Sequence, residues 1–220
     1  MTFLLLQDLN MINSEVRPLF PTPILLSMLG RDITAEEIQV MEDNYKPDMV
    51  RSNDGNVTSL NRYILKDNFP ELRKEIQSQI DYYLKTVIDP ATDVSLYITQ
   101  SWLNYTEKGQ YHHEHAHPNS IVSGVFYFNA HKEHDKIWFF KNQPRDIKIL
   151  PNWNHYNAES WWFECETGML IMFPSHLRHK VAVTTGDHTR VSLSFNTFAT
   201  GIIGQEEELN SLHLPPPVSY

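Results

Sequence analysis

Ser95-Leu-Tyr-Ile-Thr-Gln-Ser-Trp-Leu-Asn-Tyr-Thr106 decides how the rest of this chain reads. It alternates loosely and is rich in Tyr, Ile, Thr and Trp, the residues that suit a half-buried strand. Similar short runs follow at Ile121–Phe128, Ile137–Phe140, Met169–Phe173, His179–Val183 and Val191–Phe198. Lys108-Gly109 and Thr185-Gly-Asp187 supply turns between them. Many short strands without intervening helices predict a mainly β fold over residues 93–200, a double-stranded β-helix or jelly roll of cupin-like barrel form.

Upstream, residues 1–92 read as mixed helical and strand support for that core. Leu19–Leu26 suits an edge strand, because Pro21 and Pro23 cannot donate to a central ladder. Thr34-Ala-Glu-Glu37 is a capping box that opens a short helix through Asn44. Pro70 starts a longer helix, with Leu72, Ile76, Ile80, Tyr83, Leu84 and Val87 on one face, and Asp89-Pro90 stops it. Downstream, residues 201–220 read as a tail that ends in the extended Leu214-Pro-Pro-Pro217. A length of 220 residues fits one domain.

Composition narrows the function. Eighteen basic against 27 acidic residues give a net charge of −9 with no basic run, which argues against a nucleic-acid partner. One cysteine, Cys165, cannot form an intrachain disulfide and suits a reducing cytoplasm. Phe3-Leu-Leu-Leu6 is too short for a signal peptide core, and no segment approaches membrane-span length, so no membrane partner is expected. Pro151–Glu166 carries Trp153, His155, Tyr156, Trp161, Trp162 and Phe163 and reads as an aromatic loop. Its Trp153, Tyr156 and Trp161 are candidate substrate contacts, with plain lid packing as the competing explanation.

The chemistry concentrates in Gln110-Tyr-His-His-Glu-His-Ala-His-Pro-Asn119, whose six residues from His112 to His117 include four histidines and a glutamate. Strand alternation puts His113, His115 and His117 on one face, and His112 and Glu114 on the other. Two same-face imidazoles can grip a metal that His179, at the start of a later strand, completes. A metal-free, solvated histidine edge and a closed structural zinc site are the competing readings. The second is weakened by the distance of Cys165 from the cluster. The turn at Thr185–Asp187 predicts that the strands from His179 and Arg190 run antiparallel as neighbours. The two residues would then lie about 10–15 Å apart at about 3.4 Å per residue. A five-carbon dicarboxylate could span that gap, its 2-oxo acid end on the metal and its far carboxylate on Arg190 and Ser192.

These pieces, in order and spacing, resemble the 2-oxoglutarate- and Fe(II)-dependent oxygenase superfamily. The likeness is greatest to a branch common in marine bacteria and their phages and related to prolyl hydroxylases. It is carried by Leu19-Phe-Pro-Thr-Pro23, Thr58-Ser-Leu-Asn61, Trp102-Leu-Asn104 with Lys108-Gly109, and His115-Ala-His-Pro-Asn-Ser120 with Ser123-Gly124. Phe173-Pro-Ser175 with His179 and Arg190-Val-Ser-Leu-Ser-Phe-Asn196 complete it. The resemblance implies Fe(II) on His115, His117 and His179, 2-oxoglutarate on Arg190, and Tyr105 as a further hydroxyl donor, for which a core tyrosine is the alternative.

One position departs from the superfamily. His117 stands where a carboxylate is usual, so the register His112-x-Glu114 is the fallback. The implied reaction consumes O2, decarboxylates 2-oxoglutarate to succinate and hydroxylates a C–H bond of a peptide, prolyl by analogy, or of a small molecule. Two alternatives remain: a three-histidine cupin-type dioxygenase without 2-oxoglutarate, and a non-catalytic metal-binding barrel. The expected location is the cytoplasm, the host's if the chain is phage-encoded.

Overall fold

The computed structural model describes residues 15–142, 149 and 152–217; Phe3–Leu6 and Pro151 lie outside them. The first strand, β1 (Leu25–Met28), begins only after Pro21 and Pro23 have passed. Helix α1 (Ala35–Asp43) carries the expected capping box between Thr34 and Glu37. A hairpin of β2 (Val50–Asn53) and β3 (Asn56–Ser59) follows, then α2 (Ile64–Asn68) and α3 (Pro70–Tyr83). The sequence reading had found neither the hairpin nor α2. A π-helical turn over Leu84–Ile88 continues α3 and ends at left-handed Asp89. The wider turn shifts the helical phase, so Val87 is exposed and not on the buried face expected for it.

The β region contains β4 (Val94–Thr106), β5 (His112–His115), β6 (Val122–Asn129), β7 (Lys136–Phe140) and β8 (Ser160–Glu164). It continues with β9 (Met169–Pro174), β10 (Arg178–Val181), β11 (Arg190–Ile203) and β12 (Leu212–Leu214). β8 replaces the second half of the expected aromatic loop. β12 pairs with β11, so the tail is partly sheet.

Among the described residues the strands form an eight-stranded sheet, β1-β9-β6-β11-β4-β3-β2 with β12 on β11, and a four-stranded sheet, β5-β10-β7-β8. Every pairing within them is antiparallel. This is a double-stranded β-helix of two separate sheets and not a closed barrel. β10 and β11 belong to different sheets, so the neighbouring hairpin expected from Thr185–Asp187 does not form. The segment between them crosses from one sheet to the other.

Alternation divides the core in two. Phe126, Phe128, Leu170, Met172, Leu193 and Phe195 pack under Leu72, Ile76 and Ile80 of α3. Val125, Tyr127, Ile171 and Phe173 of the large sheet face Ile137 and Phe139 of the small one. Burying each large apolar side chain contributes about 1.5–3 kcal/mol. Gly124 pairs with Phe195, whose ring covers it; a Cβ there would run into that ring. No helix among the described residues is long and apolar enough to cross a membrane.

Candidate metal centre

β5 and β10 set the centre. His115 lies directly across from His179 in their antiparallel pairing. His117 follows the end of β5, where its backbone N–H donates to the Ser175 carbonyl at 2.9 Å. The ligating nitrogens of His115, His117 and His179 all fall within 4.8 Å of one another. His115 Nδ1 is 2.8 Å from the His113 carbonyl, and His179 Nδ1 is 3.0 Å from the Leu177 carbonyl. A carbonyl can only accept, so in both rings Nδ1 carries the proton and Nε2 keeps its lone pair.

Burial, reinforced by neighbouring imidazoles, lowers the pKa of His115 and His179 and takes His117 down to about 4. All three rings are therefore neutral near pH 7, the ligating form. Serines brace this end. Ser123 Oγ lies 2.8 Å from Ser175 Oγ and donates to Asn196 Oδ1 at 2.8 Å, while Ser175 Oγ donates to Ser120 at 2.7 Å. The Pro-Asn-Ser, Ser-Gly, Pro-Ser and terminal Asn pieces of the sequence are thus one hydrogen-bonded support.

A cavity of about 30 Å³ faces the triad and is lined also by Trp102, Asn104, His112, Ser192 and Ser194. Asn104 Oδ1 is buried there without a hydrogen-bond partner. A cavity of that size holds a water or two. A larger cavity of about 350 Å³ lies between β1 and α3. Its two charged liners, Arg31 and Glu75, bond to each other, and no histidine or cysteine lines it, so the smaller cavity is the chemical one.

Strand parity mispredicted β5. Four residues, His112 to His115, span the same stretch as three on β10, His179 to Val181, a bulge that turns His112 inward beside His115, ring centroids 4.6 Å apart. Glu114 points outward and accepts from Arg178 Nε at 2.7 Å, away from the triad. The fallback pair therefore does not meet at one point. Tyr105 also departs from expectation. Trp102 and Asn104 face the cavity, so alternation sends Tyr105 to the helical side, where its hydroxyl donates to the Met41 carbonyl at 2.7 Å.

Arg190 is 1 % exposed and meets Asp135 Oδ1 at 3.3 Å. Asp135 is wholly buried and also accepts from Thr184 Oγ1, from the His131 backbone N–H at 2.9 Å and from His188 Nε2 at 2.7 Å. Burial pushes its pKa up, but the Thr184 and His131 hydrogen bonds, the Arg190 charge and His188 outweigh this and lower it overall. Ser192, two residues beyond Arg190, lines the cavity and pairs across the sheet with Tyr127. The Tyr127 hydroxyl is buried beside the Cys165 thiol, a weak partner at best, and bonds to no nitrogen or oxygen among the described residues. Asp135, His188 and Tyr127 were missed in the sequence; His131–Asp135 and Asp187-His188 flanking the strands were the available signal. Trp153 and Tyr156 are exposed, and Trp161 meets His155 at a tilt, ring centroids 4.3 Å apart; none lines the cavity.

A histidine triad in a double-stranded β-helix, with a buried arginine on the next strand, is an arrangement that could hold a metal ion. Residues 100–196 match the family described as "Putative 2OG-Fe(II) oxygenase". No curated protein sequence matches the chain. A prolyl hydroxylase from Trichoplax adhaerens, solved with a hypoxia inducible factor peptide fragment, is 12 % identical (TM-score 0.55, 80 % of this chain and 83 % of that one). A Pseudomonas putida prolyl-4-hydroxylase is also 12 % identical (TM-score 0.52, 80 % and 92 %). HygX from Streptomyces hygroscopicus, solved with nickel, 2-oxoglutarate and hygromycin B, is 8 % identical (TM-score 0.51, 80 % and 83 %). Identities this low speak to the fold. Residues 100–196, under half of the chain, are thus similar to the 2-oxoglutarate- and Fe(II)-dependent oxygenases, oxidoreductases whose cofactors are Fe(II) and 2-oxoglutarate.

The residues present fit those cofactors. Two Nε2 lone pairs beside a third neutral imidazole suit a divalent transition metal. The Ser192 hydroxyl, which lines the cavity, and the buried Arg190 guanidinium two residues before it, already paired with Asp135, are the groups that could meet a carboxylate.

Proposed function

We propose that His115, His117 and His179 hold Fe(II), that Arg190 and Ser192 anchor 2-oxoglutarate, and that the chain hydroxylates a C–H bond of a peptide, with prolyl residues the favoured target. The observation that carries this reading is the triad itself, three neutral imidazoles with nitrogens within 4.8 Å and two of their Nδ1 protons tied to backbone carbonyls. When bound, Fe(II) and 2-oxoglutarate supply the oxidising chemistry, at the expense of O2 and with release of succinate.

The chain's residues position and shelter that chemistry. The carbonyls of His113 and Leu177 lock two ring tautomers, which keeps the ligating lone pairs directed inward. Asp135 holds the guanidinium of Arg190, and Tyr127, in the role first sought in Tyr105, donates its hydroxyl to the same carboxylate. Phe173 and Trp102, beside the triad, exclude water from the reacting centre. Trp153, Tyr156 and Trp161 lie off the cavity, so the reading assigns them to outer parts of the substrate. The peptide preference is supported by the two prolyl hydroxylases that share the fold.

The test is anaerobic addition of Fe(II) and 2-oxoglutarate, followed by oxygen. A weak visible charge-transfer band and then succinate are expected. His179→Ala should abolish the band, while Arg190→Ala should weaken 2-oxoglutarate and spare iron. Absence of both band and succinate with iron bound overturns the reading. Proline-containing peptides should raise succinate output above the substrate-free rate; a rise only with small molecules overturns the substrate class. One observation favours the three-histidine dioxygenase without 2-oxoglutarate: Asp135 already occupies part of Arg190. That alternative predicts oxygen uptake that is indifferent to 2-oxoglutarate and to Arg190→Ala.

A further inference from the structure

A second constellation overlaps the first. The nitrogens of His112, His113 and His115 also lie within 4.8 Å of one another. Their ring centroids are 5.1 Å apart for His112 and His113, 4.9 Å for His113 and His115, and 4.6 Å for His112 and His115. Consecutive residues of a regular strand face opposite ways, so His112 and His113 could not both approach His115 without a break in alternation. The bulge between the His179 and Val181 pairings supplies that break. Bulges near functional sites commonly re-aim side chains in this manner.

The cluster has an unmet ligand position. His113 Nδ1 is buried with no hydrogen-bond partner, and the nearest carboxylate oxygen, Asp54 Oδ2, stands 3.7 Å away. Asp54 belongs to the β2–β3 turn, which is fastened to this strand. The Tyr111 N–H donates to the Gly55 carbonyl at 3.1 Å, and the Asn53 amide lies 3.2 Å from His112 Nε2. Gly55 takes φ +90°, and a Cβ there would press on the Tyr111 carbonyl, so the turn lies close against the strand. All three rings are partly exposed, unlike His179 at 4 %. Metal can therefore reach this group from solvent.

We propose that His112, His113 and His115, with Asp54 beside them, form an outer binding site for a borderline divalent metal of the Zn(II) type, for which imidazole and carboxylate donors are suited. The outer site stands on its own geometry. Its consequence rests on the inner triad being the iron site: His115 is common to both, so filling the outer site withdraws a ligand from iron. Excess Zn(II) then inhibits through His113, a residue that the inner triad does not use.

Equilibrium dialysis of the full chain against Zn(II) tests this. His117→Ala with His179→Ala dismantles the inner triad, and that variant should still bind about one Zn(II); adding His113→Ala should weaken binding by roughly tenfold or more. Equal Zn(II) binding with and without His113 overturns the proposal, as does no binding by the double variant. Thermal melts followed by circular dichroism separate a lost ligand from a lost fold. Should the triple variant unfold, His113→Gln in the same background replaces it. The two readings fail differently. A charge-transfer band that is lost in His113→Ala but kept in the His117/His179 double variant overturns the inner assignment and leaves the outer site standing.

Discussion

Two buried polar groups share the space between the sheets, and they are built on opposite principles. At the histidine end, neutral imidazoles gather with their ligating nitrogens close together, and among the described residues no hydrogen bond is made to the Nε2 atoms of His115 and His179. At the arginine end, a full charge is buried, and Asp135 meets it together with Thr184, His188 and a backbone N–H. The first end is complete only with a cation from outside. The second is already neutralised and forms part of the folded structure. Burial makes this division necessary, because an isolated buried charge is far more costly than a neutral imidazole.

The largest effect should come from breaking the arginine end. Asp135→Ala leaves the Arg190 guanidinium buried without its carboxylate, which costs about 3–5 kcal/mol. In metal-free protein, urea denaturation should show that loss, whereas His179→Ala should cost far less because no internal partner depends on its Nε2. If the two substitutions destabilise equally, the contrast between a prebuilt anchor and a waiting ligand set is wrong. Asp135→Asn, which keeps the size and hydrogen bonding, should recover much of the stability. It should still shift the apparent KM for 2-oxoglutarate more than kcat if Asp135 acts by orienting Arg190.

A smaller effect separates two tyrosines that the sequence could not tell apart. Tyr105 donates to Met41 beneath α1, so Tyr105→Phe removes a buried hydrogen bond worth about 1 kcal/mol and should leave 2-oxoglutarate affinity unchanged. Tyr127 carries a buried hydroxyl whose neighbour is only the weakly bonding Cys165 thiol. Tyr127→Phe should therefore leave metal-free stability unchanged or slightly raised and should weaken 2-oxoglutarate in a charge-transfer titration. The reverse pattern would return the cofactor role to Tyr105 and would mean that the helical face of β4 is not where Tyr105 acts.

The two tyrosines also show what was legible. Strand-rich composition from Ser95 onward, the capping box at Thr34 and the helix starting at Pro70 were all readable, because each depends on short-range pattern. The grouping of His115, His117 and His179 was legible because histidines are few and strong ligands, and these three lie on or just past strand ends. Four features were not readable, since each depends on pairing across the fold. These are the bulge in β5, the assignment of β10 and β11 to different sheets, the π-turn that exposes Val87, and the Asp135 partnership. A single extra residue in β5 reverses which side chains face inward, and nothing local in His112–His115 marks where it falls. Asp135 looked like one more acidic residue in a turn until the fold brought Thr184, His188 and Arg190 around it.

The smallest expected effect bears most directly on that bulge. Regular alternation would put Glu114 on the face opposite His115 and beside His112, where it could replace the carboxylate missing at His117. In the structure, the Glu114 carboxylate instead lies on the outer surface and accepts from Arg178, whose side chain is 55 % exposed. Exposed pairs of this kind contribute about 0–1 kcal/mol. Glu114→Ala should therefore shift the urea midpoint only slightly, and should leave the Fe(II) and 2-oxoglutarate charge-transfer band at full intensity. The same titration on His117→Ala should lose most of the band, since it removes one of three ligands. A band abolished by Glu114→Ala and retained by His117→Ala would place the β5 register one residue out and make the iron site a two-histidine, one-carboxylate triad.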